Sequence, residues 1–84
     1  MISVDEFIEK YIEYIDKNDW VSIYNKAVDE LDTHVSDLTL TLLEAQINPL
    51  DHLDYIPSMY LHSSDIKDFD IPNHIKIIYS AAFA

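Results

Sequence analysis

The sequence predicts an α+β fold, with three or four helices packed on a small C-terminal sheet of two short strands. Apolar residues recur at helical spacing through residues 3–17 and 20–31. From Tyr60 the pattern changes to a short alternating run, Ile66-Lys67-Asp68-Phe69-Asp70-Ile71, a turn at Pro72-Asn73-His74, and a second apolar run from Ile75 to Tyr79. No serine-rich, glycine-rich or low-complexity stretch separates the two parts. Residues 1–84 therefore read as one domain, helical over 1–55 and β-containing over 56–84.

The first helix is expected over residues 3–17. Ser3 is a good N-cap and Glu6, three residues on, completes a capping box. Val4, Phe7, Ile8, Tyr11, Ile12 and Ile15 form its apolar face. The opposite side carries Asp5, Glu6, Glu9, Glu13 and Asp16, with lysines placed at i,i+4 to pair Glu6 with Lys10 and Glu13 with Lys17. Asn18 or Asp19 caps a second helix, about Trp20 to Leu31, whose apolar face is Trp20, Ile23, Tyr24, Ala27, Val28 and Leu31. Asp29, Glu30 and Asp32 crowd its C-terminal end, against the macrodipole.

Ser36 is the expected cap of a third helix, roughly Asp37 to Ile47. A strand over Leu38 to Leu42 is the other reading there. The run continuing through Leu43-Glu44-Ala45 favours helix, and Leu40 and Leu42, off the main stripe, suggest burial on more than one side. Asn48-Pro49 stops this helix, and Pro49 to Tyr55 has the makings of one further turn.

In outline, residues 60–83 make one coil of a solenoid. The run Ile71-Pro72-Asn73-His74-Ile75-Lys76-Ile77-Ile78-Tyr79-Ser80-Ala81-Ala82-Phe83 resembles the leucine-rich repeats of the bacterial cell-surface type, also common in large phage genomes. Tyr60 takes the repeat's first aromatic place, and Ile66 and Phe69 the inward places of the strand. Ile71-Pro72 is the Ile-Pro step, Ile75 and Ile78 the next apolar places, and Ala82-Phe83 the closing pair. The match covers about a quarter of the chain, and Tyr79 stands where the family usually has glycine. The resemblance implies a protein-binding scaffold without enzymatic activity and transfers no catalytic residue. The family carries many repeats and this chain one, so its helical part would replace the missing stack.

Composition narrows the function further. The 84 residues contain no cysteine, which excludes a disulfide framework and a thiolate metal site. They contain no glycine, where about 7% is usual, and this rules out P-loop and Rossmann phosphate cradles. No run is long and apolar enough to cross a membrane, and the acidic start lacks a secretory n-region. A cytoplasmic protein is expected, in the host cytoplasm if phage-encoded. No two of His34, His52, His62 and His74 have the i,i+4 spacing of a helical zinc site. Asp51-His52-Leu53-Asp54 reads as a solvated loop. Ser63 and Ser64 beside His62 lack the glycine elbow of a nucleophile. The expectation is no enzyme, no cofactor and no metal.

What remains is charge. Sixteen acids against five bases give a formal net charge of −11, beyond the magnitude of about 2–8 that suits a small soluble domain. This repels nucleic acid and anionic membranes and favours a basic partner. Asp5, Glu9, Glu13 and Asp16 on the first helix, with Asp29, Glu30 and Asp32 closing the second, are the expected partner-binding residues. Successive helical turns set carboxylates about 5–6 Å apart. The phosphates along one nucleic-acid strand are roughly 7 Å apart. A phage-type inhibitor that mimics DNA in the groove of a repair enzyme or defence nuclease is the first functional expectation. The alternative is a leucine-rich-repeat-like interaction or self-assembly module. It would contact another protein, or a second copy in a homodimer, through Ile75, Ile77, Ile78, Tyr79 and Phe83 at the coil end.

Overall fold

The Ser3 hydroxyl accepts the Glu6 N–H at 3.2 Å and reaches the Glu6 carboxylate at 3.1 Å, which fixes the start of the first helix. In the computed structural model, which describes residues 1–63 and 70–83, the element order is α1 Val4–Lys10, α2 Ile12–Asp16, α3 Trp20–Glu30, α4 Val35–Glu44, a 3₁₀ turn Pro49–His52, β1 Tyr55–Ile56 and β2 Ile77–Ile78. The fold is mixed helix and strand, as the sequence predicts. Several boundaries differ from the sequence expectation, each for a local reason.

The single helix expected over 3–17 is two, broken at Tyr11, whose backbone leaves the helical well (φ −111°, ψ 26°). We attribute the break to the Tyr11 side chain. Its ring packs on Phe7 and Tyr14, with centroids 4.7 and 5.5 Å away, and its hydroxyl donates to the Glu30 carboxylate on α3. Phe7, Tyr11 and Ile15 are buried, but Ile12, expected on the same face, is exposed. Asn18 lies in the left-handed region (φ 56°) and ends α2. There Asp19 N–H donates to the Tyr14 carbonyl and Asn18 N–H to that of Ile15, both at 3.0 Å. Asp19 then caps α3 through its carboxylate.

Along α3, Trp20, Ile23, Tyr24 and Ala27 are buried while Val28, expected with them, is 64% exposed. The cap of α4 is His34 rather than Ser36: the Asp37 carboxylate accepts the His34 N–H at 3.3 Å, and Ser36 is buried in the first turn. Thr39 is fully buried in α4 because its hydroxyl pairs with that of Tyr24 at 2.6 Å. The helix stops at Glu44, before the expected Ile47, since Gln46 turns left-handed (φ 64°) and lets Ile47 N–H close on the Leu42 carbonyl at 2.9 Å.

The C-terminal part departs most from the expectation. The expected strand over Ile66 to Ile71 lies outside the described residues at 66–69, and Asp70 and Ile71 are in no strand. The first strand is Tyr55–Ile56, in a stretch read from sequence as a helical turn and its exit. It pairs in parallel with β2, each partner lying 22 residues on: Tyr55 with Ile77, Ile56 with Ile78. The correspondence continues past the strands. Met59 and Ala81 share the same left-handed backbone (φ 60° each), Met59 N–H donates to the Ala81 carbonyl at 2.8 Å, and Tyr60 and Ala82 are both buried. At the other end Lys76 N–H donates to the Asp54 carbonyl at 2.7 Å. His74 Nε2 donates to the Leu50 carbonyl, which pins the turn before β2 to the 3₁₀ segment.

One cluster of buried side chains links both parts, from Phe7 and Trp20 through Leu38 and Leu50 to Ile56, Tyr60 and Ala82. Tyr24 and Tyr60, with rings 5.7 Å apart, join α3 to the coil. Burial pushes both tyrosine hydroxyls above their ordinary range.

With no glycine in the chain, Asn18, Gln46, Met59 and Ala81 hold the left-handed positions among the described residues. For side chains other than Asn or Asp, that conformation costs about 1–2 kcal/mol. Gln46→Gly is expected to raise stability by roughly 0.5–1 kcal/mol, because relief of that strain outweighs the added freedom of the unfolded chain. Urea denaturation checks this; an unchanged or lowered midpoint would show that Gln46 is not strained.

Candidate functional site

Two surfaces follow from the fold: the carboxylates of α1 to α3 and the apolar face at β2. Asp5 and Glu9 stand on α1, Glu13 and Asp16 on α2, and all four are exposed. The break at Tyr11 falls between Glu9 and Glu13, so the expected uninterrupted row on one helix is divided over two. Asp29 and Asp32 are exposed at the end of α3.

Glu30 is different. Its carboxylate accepts from Lys10 Nζ at 2.6 Å and from the Tyr11 hydroxyl. The Lys10 ammonium, then the Tyr11 hydroxyl, hold Glu30 below the usual carboxylate range, and Glu30 in turn raises Lys10. Lys10 is therefore engaged across the helices rather than with Glu6, and among the described residues Glu13 and Lys17 form no ion pair. Lys26 lies over the rings of Tyr11 and Tyr14, at 5.6 and 5.7 Å. Two lysines and two tyrosines thus form a seam joining α1 and α2 to α3. By sequence Glu30 stands against the helix dipole. The structure gives it a folding role, because it ties α1 to α3. The backbone reinforces the same junction: Ile2 N–H donates to the Glu30 carbonyl and Asp32 N–H to the Ile2 carbonyl, both at 2.9 Å.

At the coil, the residues expected to form an apolar contact divide. Ile75 and Phe83 are partly buried against the core, whereas Ile77, Ile78 and Tyr79 are exposed. Side chains alternate across a strand, so Ile56 and Ile78 point to one face and Tyr55, Ile77 and Tyr79 to the other. Ile56 and Ile78 are register partners, yet Ile56 is 0% exposed and Ile78 is 52% exposed. Tyr79 N–H donates back to the Ile56 carbonyl at 3.1 Å, so by alternation the N–H of Ile78 points away from β1. Among the described residues β2 has a neighbour on one side only.

A cleft of about 410 Å³ opens between α3 and the other face of this sheet. Val21, Asn25 and Val28 line its helical wall, and Tyr55, Pro57 and Tyr79 its sheet wall. The sequence offered one signal for it: Val28 fits a buried stripe by spacing, yet stands in the cleft wall. Among the described residues no group of three or more histidine, cysteine or acidic side chains is placed to hold a metal ion. Among the same residues no helix is long and apolar enough to cross a membrane.

The chain matches no protein-family model, no curated protein and no solved structure.

The Glu30 junction has a pH signature. A group that titrates lower in the folded chain stabilises it above the ordinary glutamate range and loses that effect as pH falls through the lowered value. The stability gap between the native chain and Glu30→Gln is expected to be widest near neutral pH and to close on acidification. Urea midpoints across a pH series measure it. A gap that stays constant with pH would mean that the Glu30 charge does not stabilise the fold.

Proposed function

We propose that this protein is a small, acidic, non-enzymatic protein-binding module in which the helices cap a single parallel coil. The observation that carries this is the unequal burial of Ile56 and Ile78, two residues in the same phase of the coil. Ile78 has the orientation of a core residue, and among the described residues no layer is stacked over it. Its outward N–H lies on a strand edge that no described residue pairs, and such an edge beside exposed apolar surface favours strand addition by another chain. The 22-residue offset and the repeated left-handed turn support the resemblance to leucine-rich repeats.

Net charge governs how copies of the chain meet. Two molecules at −11 repel one another in dilute salt, and screening removes that barrier, since the Debye length falls from about 10 Å at 0.1 M to a few ångströms near 1 M. Sedimentation equilibrium is expected to show weak association through the coil end that grows from about 0.05 M to about 0.5 M salt. Ile78→Asp should abolish it and leave the helical circular dichroism unchanged. A chain that stays monomeric at every concentration and salt level, with Ile78→Asp indistinguishable from it, would remove the coil end as a binding face.

A second reading is favoured by the exposure of Asp5, Glu9, Glu13, Asp16, Asp29 and Asp32. These carboxylates suit a mimic of nucleic acid that blocks a basic nucleic-acid-binding enzyme, as a phage inhibitor would. Glu30 contributes least to such a face, being held by Lys10. On this reading a DNA-binding enzyme inhibited by the protein is released by salt and by Glu9→Lys/Glu13→Lys. Competition against labelled duplex DNA measures the release, and inhibition unaffected by the charge reversal would dismiss the mimic.

A further inference from the structure

We infer that the cleft between α3 and the β1–β2 sheet is a docking site for an extended cationic peptide segment carrying an apolar anchor. It lies on the opposite face of the sheet from Ile56 and Ile78, so it is distinct from the coil end. Val21 and Val28, 47% and 64% exposed, sit two turns apart on α3 and form an aliphatic wall. The sheet supplies the opposite wall, where the Tyr55 and Tyr79 rings lie 5.1 Å apart at 33°. Apolar and aromatic walls with a few polar groups are the makings of a recognition site. Here the polar groups are the exposed Asn25 and Ser58.

Charge identifies the occupant. The molecule as a whole bears −11, and Asp29 stands one turn beyond Asn25 on the same helix. A second copy would bring its own −11 to this place, whereas a lysine- or arginine-bearing segment would be drawn to it. The tyrosine pair offers ring faces to a guanidinium or ammonium. The molecule already makes such contacts elsewhere, with Lys10 lying 5.1 Å from the Tyr11 centroid. The apolar anchor would enter between Val21, Val28 and the rings, and the cations would remain at the solvent-exposed mouth.

Three amide-capped peptides test the inference: alternating lysine and leucine, alternating lysine and serine, and alternating glutamate and leucine. Titration into the ¹⁵N-labelled protein gives affinities and the amides that shift. The lysine–leucine peptide is expected to shift Val21, Asn25, Val28 and Tyr79. The lysine–serine peptide should bind at least about tenfold more weakly, and the glutamate–leucine peptide should not bind. Val21→Lys/Val28→Lys, at two exposed positions, should weaken the lysine–leucine peptide by about tenfold or more while Ile78→Asp leaves it unchanged. Equal binding of both lysine peptides, with shifts spread over Asp5 to Asp16, would overturn the inference in favour of unspecific attraction to acid. Cleft shifts that track protein concentration without peptide would overturn it in favour of a second copy.

Discussion

The parallel closure of residues 54–61 on residues 76–82 is the constraint from which the rest of the architecture follows. Its register sets Ile56 inside the core and leaves Ile78 at the surface. It also brings Tyr79 beside Tyr55, so that the sheet presents an aromatic wall to α3. A two-stranded sheet with strands of two residues is marginal by itself. The helices stabilise it by packing Tyr24 on Tyr60 and by burying Ile56 and Ala82 in the cluster built around Trp20 and Leu38. The His74 bond to the Leu50 carbonyl holds the returning chain in place. The C-terminal coil thus depends on the helical part for its core, and the helical part gains a directional edge from the coil.

A second constraint is the lack of glycine. Left-handed turns end α2 and α4 and shape the coil at Met59 and Ala81, all without the residue that enters this region at no steric cost. Asn18 is the mildest of these, since its short amide tolerates the conformation. Met59 and Ala81 accept it 22 residues apart, the same offset as the strand register.

Much of the helical part was legible in the sequence. The capping box at Ser3, the cap at Asp19 and the stripes on α1 and α3 follow from local rules. The misses came from long-range contacts. Nothing in the spacing around Tyr11 says that its hydroxyl reaches Glu30, nineteen residues on, and the helix breaks there. Lys10 fits Glu6 by the i,i+4 rule, yet a carboxylate on another helix takes it. Tyr55-Ile56 was unreadable as a strand because two residues carry no period, and its partner lies 22 residues away. The acidic surface was legible as composition. The contacts of Lys10 and Lys26 were not, because they exist only once α1, α2 and α3 meet.

The central claim is that the coil closes in parallel and leaves one edge open. Amide hydrogen exchange on the isolated protein tests it most directly, residue by residue. Tyr79, Met59 and Leu61 donate across the closure and should exchange slowly, while Ile78, directed away from β1, should exchange at a rate close to that of an open chain. Fast exchange at Tyr79, Met59 and Leu61 would contradict the closure, and slow exchange at Ile78 would contradict the open edge.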